Sequence, residues 1–160
     1  MNPRPMSLLK VSFECDSDSL NQGLPELMWA KPIAVGNFGG MYELQNSPFF
    51  ARGVSYLDIV MGELRPGDDD TIHYIKTYRP SRHSTYRAIV KDGEYRFDEY
   101  WNKLQNYGCT YEYAKWQSGR LYSIDVPPEA DIYGVYKILE QAEFAGVWEF
   151  EEGHMGQILR

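Results

Sequence analysis

Residues 79–87 read Arg-Pro-Ser-Arg-His-Ser-Thr-Tyr-Arg, the one locally basic run of the chain. Arg79, Arg82, His83 and Arg87 are the residue types that clamp a phosphate or carboxylate. A guanidinium offers paired donors, and neighbouring hydroxyls add more. The run also falls where two differently patterned stretches meet, so its other reading is a join between them. His83-Ser84 sets a base beside a hydroxyl. Neighbours on a strand point to opposite faces, however, and do not serve as base and nucleophile for one another. Catalysis would need a cleft that brings His83 and Arg82 to a carboxylate such as Asp58.

Other constellations are weaker. His73, His83 and His154 fall into no HxH, HxxxH or HExxH spacing, and Cys15 and Cys109 form no CxxC. No metal and no cofactor is therefore expected. Asp68-Asp69-Asp70 follows Pro66-Gly67 and reads as a solvated hairpin tip. The apolar Ile72 and Tyr74 stand where a calcium loop needs oxygen ligands.

The acids have a location. Residues 125–160 hold eight acids against Lys137 and Arg160, while the whole chain carries a net charge of −7. Acid excess speaks against nucleic acid as a partner, since phosphate binding gathers Lys and Arg. In the same stretch Tyr133, Lys137, Glu140 and Phe144 recur at helical spacing, as an outward stripe opposite Ile132, Val135 and Leu139. Aromatic residues beside acids suit a protein interface. The expected partner-binding residues are Asp131, Tyr133, Glu140, Glu143, Phe144, Glu149, Glu151 and Glu152.

These residues need elements to hold them. The chain has 160 residues, 43% of them apolar, enough for a core without disulfide or metal. No apolar run is long enough to span a membrane. Met1-Asn2-Pro3-Arg4-Pro5 has no apolar segment behind it, so a cytoplasmic protein is expected. Residues 1–79 form a β-rich part. Strands are predicted at 8–15, 26–35, 41–45, 56–64 and 71–78, with Gly36-Asn37-Phe38-Gly39-Gly40 as a hairpin connection. Residues 80–160 have another rhythm. Strands at 85–90, 109–116, 120–126 and 147–151 alternate with helical spacing at Phe97, Tyr100, Trp101, Leu104 and Tyr107, and again from Ile132 to Ala142. The order β-α-β-β-α-β is the ferredoxin-like one. The expected fold is thus α+β: an N-terminal β-rich sheet or partial barrel packed on a C-terminal ferredoxin-like unit, or one continuous domain.

The most distinctive stretch joins the strands of the first part. Asn46-Ser47-Pro48-Phe49-Phe50-Ala51-Arg52-Gly53-Val54-Ser55 is followed by Tyr56, Leu57, Asp58, Ile59 and Val60. Two adjacent Phe on extended backbone should point opposite ways, one into the N-terminal core and one to the neighbouring element. Gly53 permits a bend, and Asp58 is placed to accept backbone N–H groups at a turn. The stretch reads as structural.

With Leu27-Met28-Trp29-Ala30 before it and Asp125-Val126-Pro127-Pro128-Glu129-Ala130-Asp131 later, this stretch resembles a bacterial family of small proteins. It is the family numbered four-two-six-five among domains of unknown function, with the pattern N-x-P-F-[FY]-A-x-G-[VI]-S-x-x-D-[IV]-V. The resemblance runs over roughly residues 8–152. It implies a bacterial protein and carries over no catalytic residue.

With no catalytic constellation in view, the expected function is non-enzymatic. The chain is read as an immunity protein or antitoxin that captures a basic toxin domain by stoichiometric contact. The alternative is a small-molecule sensor for an anion or nucleotide, held by the Arg79–Arg87 run. That alternative rests on fold analogy.

Overall fold

The computed structural model describes residues 7–67 and 70–158. Strands β1 (Leu9–Phe13), β2 (Glu26–Gly36), β3 (Gly39–Leu44), β4 (Ile59–Leu64) and β5 (Thr71–Arg79) close into a barrel. Sequential neighbours pair antiparallel. The seam between β1 and β5 is parallel, with Val11 opposite Ile72. Alternation drives this closure: Val11, Phe13, Met28, Ala30, Tyr42, Leu44, Val60 and Ile72 all turn inward and fill the interior. The expected open sheet or partial barrel is thereby corrected to a closed one. The β2–β3 hairpin turns at Asn37 and Phe38. A Cβ on Gly39 would sit 2.1 Å from the Gly62 carbonyl oxygen, and its φ is 148°, so glycine is required there. The strand expected from residue 56 begins only at Ile59, because the chain is still turning at Leu57, with φ 65°. Asp68 and Asp69 of the acidic tip, and Met1-Asn2-Pro3-Arg4-Pro5, lie outside the described residues.

The second sheet contains β6 (Ser84–Lys91), β7 (Thr110–Trp116), β8 (Gly119–Val126) and β9 (Glu149–His154), in the order β7-β8-β6-β9 and antiparallel throughout. Helices α1 (Phe97–Gln105) and α2 (Ile132–Phe144) are inserted after β6 and β8. Both cover one face, where Tyr86, Ala88, Val90, Tyr122 and Ile124 pack against Trp101, Leu104, Val135 and Leu139. Gly108 follows α1 at φ 86°, the conformation that ends a helix at no steric cost. The last strand starts at Glu149 and not at Val147. Val147 and Trp148 are buried ahead of it, with the Trp148 indole donating to the Leu139 carbonyl at 3.1 Å. Among the described residues, no helix is long and apolar enough to cross a membrane.

The other face of this sheet carries Thr85, Arg87, Ser123 and Asp125, all polar and all buried. Buried polar groups demand partners. Thr85, Arg87 and Ser123 find theirs in the stretch between β3 and β4.

Candidate functional site

Residues 46–58 form a strap between the barrel and the second sheet, and its bonds cross that sheet strand by strand. The Ser47 N–H donates to Glu112 of β7 at 2.9 Å. The Pro48 carbonyl accepts from Ser123 of β8 at 2.7 Å. The Ala51 carbonyl accepts from Arg87 of β6. The Gly53 N–H donates to the Gly153 carbonyl of β9 at 3.2 Å. The strap then returns to β6, where the hydroxyls of Ser55 and Thr85 lie 2.7 Å apart. From the barrel side, the Glu26 carboxylate accepts the N–H groups of Phe49, Phe50 and Ala51 at 2.6, 2.9 and 2.7 Å. Asp58 accepts from the N–H of Ser55 at 2.9 Å and of Ser81 at 2.8 Å, the turn role expected of it. The expectation for the two Phe holds for the one that meets the neighbouring element and is corrected for the other. Neither enters the barrel core, which takes Ala51 and Val54 instead, and the Phe50 ring packs on Trp116 of β7.

The basic run is dispersed by this arrangement. Arg87 is 1% exposed beneath the strap and pairs with Glu151 at 3.3 Å. Burial pushes its guanidinium down, and the Glu151 and Glu26 carboxylates hold it up. Arg79 and Arg82 are exposed at the end of β5 and in the following join. His83 turns to Asp125 of β8, with Nδ1 2.9 Å from both carboxylate oxygens. The four residues are therefore not brought to one anion site: Arg87 is enclosed with a carboxylate, and His83 faces another. The carboxylate that His83 meets is Asp125, while Asp58 is spent on backbone N–H groups.

His83 and Asp125 line a cleft of about 380 Å³ where the strap, β7 and β8 meet. Tyr56 stands edge-on to the imidazole with ring centres 5.5 Å apart, and Thr110 and Glu112 form the β7 wall. Asp125 holds the imidazole in one tautomer. Facing that carboxylate, Nδ1 is the nitrogen that donates, so in the neutral imidazole Nε2 presents its lone pair. Among the described residues, no group of three or more His, Cys, Asp or Glu is arranged to hold a metal ion.

The acidic residues fall into several places. Tyr133, Lys137, Glu140 and Phe144 share the outward face of α2, with Tyr133 67% and Phe144 96% exposed. Asp131 caps α2 by accepting the Tyr133 N–H at 3.1 Å. Glu143 accepts the Phe150 N–H at 2.9 Å and ties α2 to β9. Glu149 and Glu151 lie opposite Ile89 and Arg87 on the strap side of β9, whereas Glu152 lies opposite Tyr86 on the helix side. Glu140 and the two aromatics thus form one surface, and Glu151 belongs to another.

The family model for DUF4265, a domain of unknown function, matches residues 26–150. The chain belongs to this family. The matched span holds the strap, the second core, the His83–Asp125 cleft and all of the buried barrel core but Val11 and Phe13. A crystal structure of a hypothetical protein from Neisseria gonorrhoeae is similar in fold, with a TM-score of 0.71 at 20% identity over 97% of this chain and 99% of that one. No curated protein matches.

Sequence reasoning missed Asp125, Glu112 and Tyr56 as neighbours of His83. A signal was present in β6 and β8. Thr85 and Arg87 alternate with Tyr86 and Ala88, and Ser123 and Asp125 alternate with Tyr122 and Ile124. Polar residues in alternation on two central strands imply a covered polar face. Pairing register, which places Thr85 opposite Asp125, is a tertiary fact.

Proposed function

We propose that this protein acts by stoichiometric protein binding, as an immunity protein or antitoxin that neutralises a toxin in the bacterial cytoplasm without chemistry of its own. The observation that carries the reading is the outer face of α2. Phe144 is 96% exposed and Tyr133 67%, with Glu140 between them. Solvated side chains of this size gain from a partner that buries them, and aromatic anchors beside an acid suit capture of a basic surface. The net charge of −7 adds steering over distance.

Two architectural readings belong with it. We take residues 80–160 as a ferredoxin-like unit, supported by the β-α-β-β-α-β order and the strand order β7-β8-β6-β9. We take 1–79 as a separate β subdomain, supported by two apolar cores that share no residue.

The test is co-expression with the products of neighbouring genes. The expected result is co-purification with one of them and protection from its toxicity. Tyr133→Ala with Phe144→Ala should abolish both, and Glu140→Lys should slow association. Full protection by the double alanine variant would overturn the α2 reading.

A further inference from the structure

The cleft at His83 is separate from the α2 surface, and its lining has one chemical character. It contains the carboxylates of Asp125 and Glu112, the ring of Tyr56, and no Lys or Arg. The Ser47, Tyr56 and Thr110 hydroxyls both donate and accept, while its side-chain amides and imidazole already donate within the protein. The Gln45 side-chain N–H donates to Glu43, and the Asn46 amide donates to the Ser47 carbonyl. The His83 Nδ1 proton goes to Asp125. The charged groups that remain open are acceptors. One Glu112 oxygen takes the Ser47 N–H and leaves the other, and His83 Nε2 has no partner among the described residues. An anion entering here would meet two carboxylates. A ligand rich in N–H donors and carrying positive charge would meet acceptors and the Tyr56 ring, the combination that favours ammonium and guanidinium groups.

We propose that this cleft is a binding site for a guanidinium or ammonium group, with Glu112 and the Nε2 of the neutral His83 imidazole as acceptors and Tyr56 as its aromatic wall. Asp125 acts as a positioning residue that fixes the imidazole tautomer. The group has two sources, a free small amine or the Arg or Lys side chain of a bound protein, and the chemistry read by the cleft is the same for both.

The experiment titrates the full-length protein with agmatine, with the peptide Gly-Arg-Gly, and with inorganic phosphate, following the His83 ring nitrogens by NMR. Agmatine at millimolar concentration should shift Nε2 saturably, while phosphate should not. Glu112→Gln keeps an acceptor for the Ser47 N–H but removes the charge, and should weaken agmatine about fivefold, as for an exposed ion pair. Peptide binding within about threefold of agmatine, well under the tenfold that 1.4 kcal/mol represents, assigns the site to a protein side chain. Binding of agmatine alone assigns it to a small amine. Absence of any saturable shift in the wild-type protein, an equal response to phosphate, or unchanged affinity in Glu112→Gln overturns the proposal. None of these outcomes depends on the α2 face.

Discussion

Glu26 Oε2 accepts the Ala51 N–H at 2.7 Å, and the carbonyl of that same Ala51 accepts from Arg87. One residue of the strap is therefore held from the barrel by an acid and from the second sheet by a base. The Glu26 carboxylate also satisfies Phe49 and Phe50, so three consecutive donors depend on one side chain. Hydrogen bonds to a charged acceptor are worth more than neutral ones, and unsatisfied buried donors cost more still. Glu26→Ala should lose at least about 2 kcal/mol of stability. Glu26→Gln, which keeps one acceptor, should lose about half as much. Urea midpoints at constant m measure both. A midpoint for Glu26→Ala equal to wild type would show that the strap is held elsewhere.

Arg87 makes the complementary prediction. Its guanidinium is enclosed, and it reaches both Ala51 and Glu151. Arg87→Lys keeps the charge but not the fork, so one contact is lost, and about 2 kcal/mol with it. Glu151→Gln leaves the enclosed guanidinium without its ion pair, and should also destabilise. Arg87→Met should be tolerated less well than Arg87→Lys, because it leaves both the buried Ala51 carbonyl and the Glu151 carboxylate without a partner. Thermal denaturation of the three variants ranks them; Met above Lys would refute the pairing argument.

Much of the fold was legible because alternation and helical spacing are local. The Val11 and Phe13 face of β1 and the Val135 and Leu139 face of α2 follow from spacing alone. Closure of the barrel was not legible, since the β1–β5 seam joins residues sixty apart and no local pattern encodes it. The strap illustrates both cases. Asp58 as an N–H acceptor follows from turn chemistry, but Glu26 reads as the first residue of a strand. Its role exists only once residue 51 is folded across it. The candidate site was half visible: His83 by its type, its carboxylate only through the β6–β8 register.

Alkaline pH should destabilise the protein. Burial pushes the Cys109 thiol from its ordinary 9.0 up to about 12, with Asp125 adding to it. Burial, with Glu152 and Tyr136, pushes the Tyr86 hydroxyl from 10.0 to about 12. Each raised value means that the folded state holds its proton more tightly than the unfolded chain. Their stabilising contribution is complete below pH 9, falls as pH rises past 9.0 and 10.0, and is gone beyond about 12. Tyr86→Phe should flatten the upper part of the decline in a pH series of urea midpoints. In the same native protein a thiol reagent should modify Cys15, which is partly exposed, well before Cys109, which is 2% exposed and reacts as its helices unfold. Equal modification rates would contradict the packing of Cys109.

Gly134 supplies a prediction in which two effects oppose. It lies in α2, where alanine in place of glycine gains about 0.8–1.0 kcal/mol of helix propensity. A Cβ there, however, would lie 2.4 Å from the Tyr107 hydroxyl oxygen and 2.8–2.9 Å from ring carbons. The ring is rigid, so helix and ring must separate. Overpacking of this kind costs about 1–3 kcal/mol, which exceeds the propensity gain. Gly134→Ala should therefore destabilise the protein despite improving the isolated helix. Tyr107→Ala with Gly134→Ala should be more stable than the sum of the single variants allows, because the clash vanishes with the ring. A double-mutant cycle in urea checks this. An additive cycle would mean that Tyr107 moves aside at no cost and that the contact between residue 107 and α2 is loose.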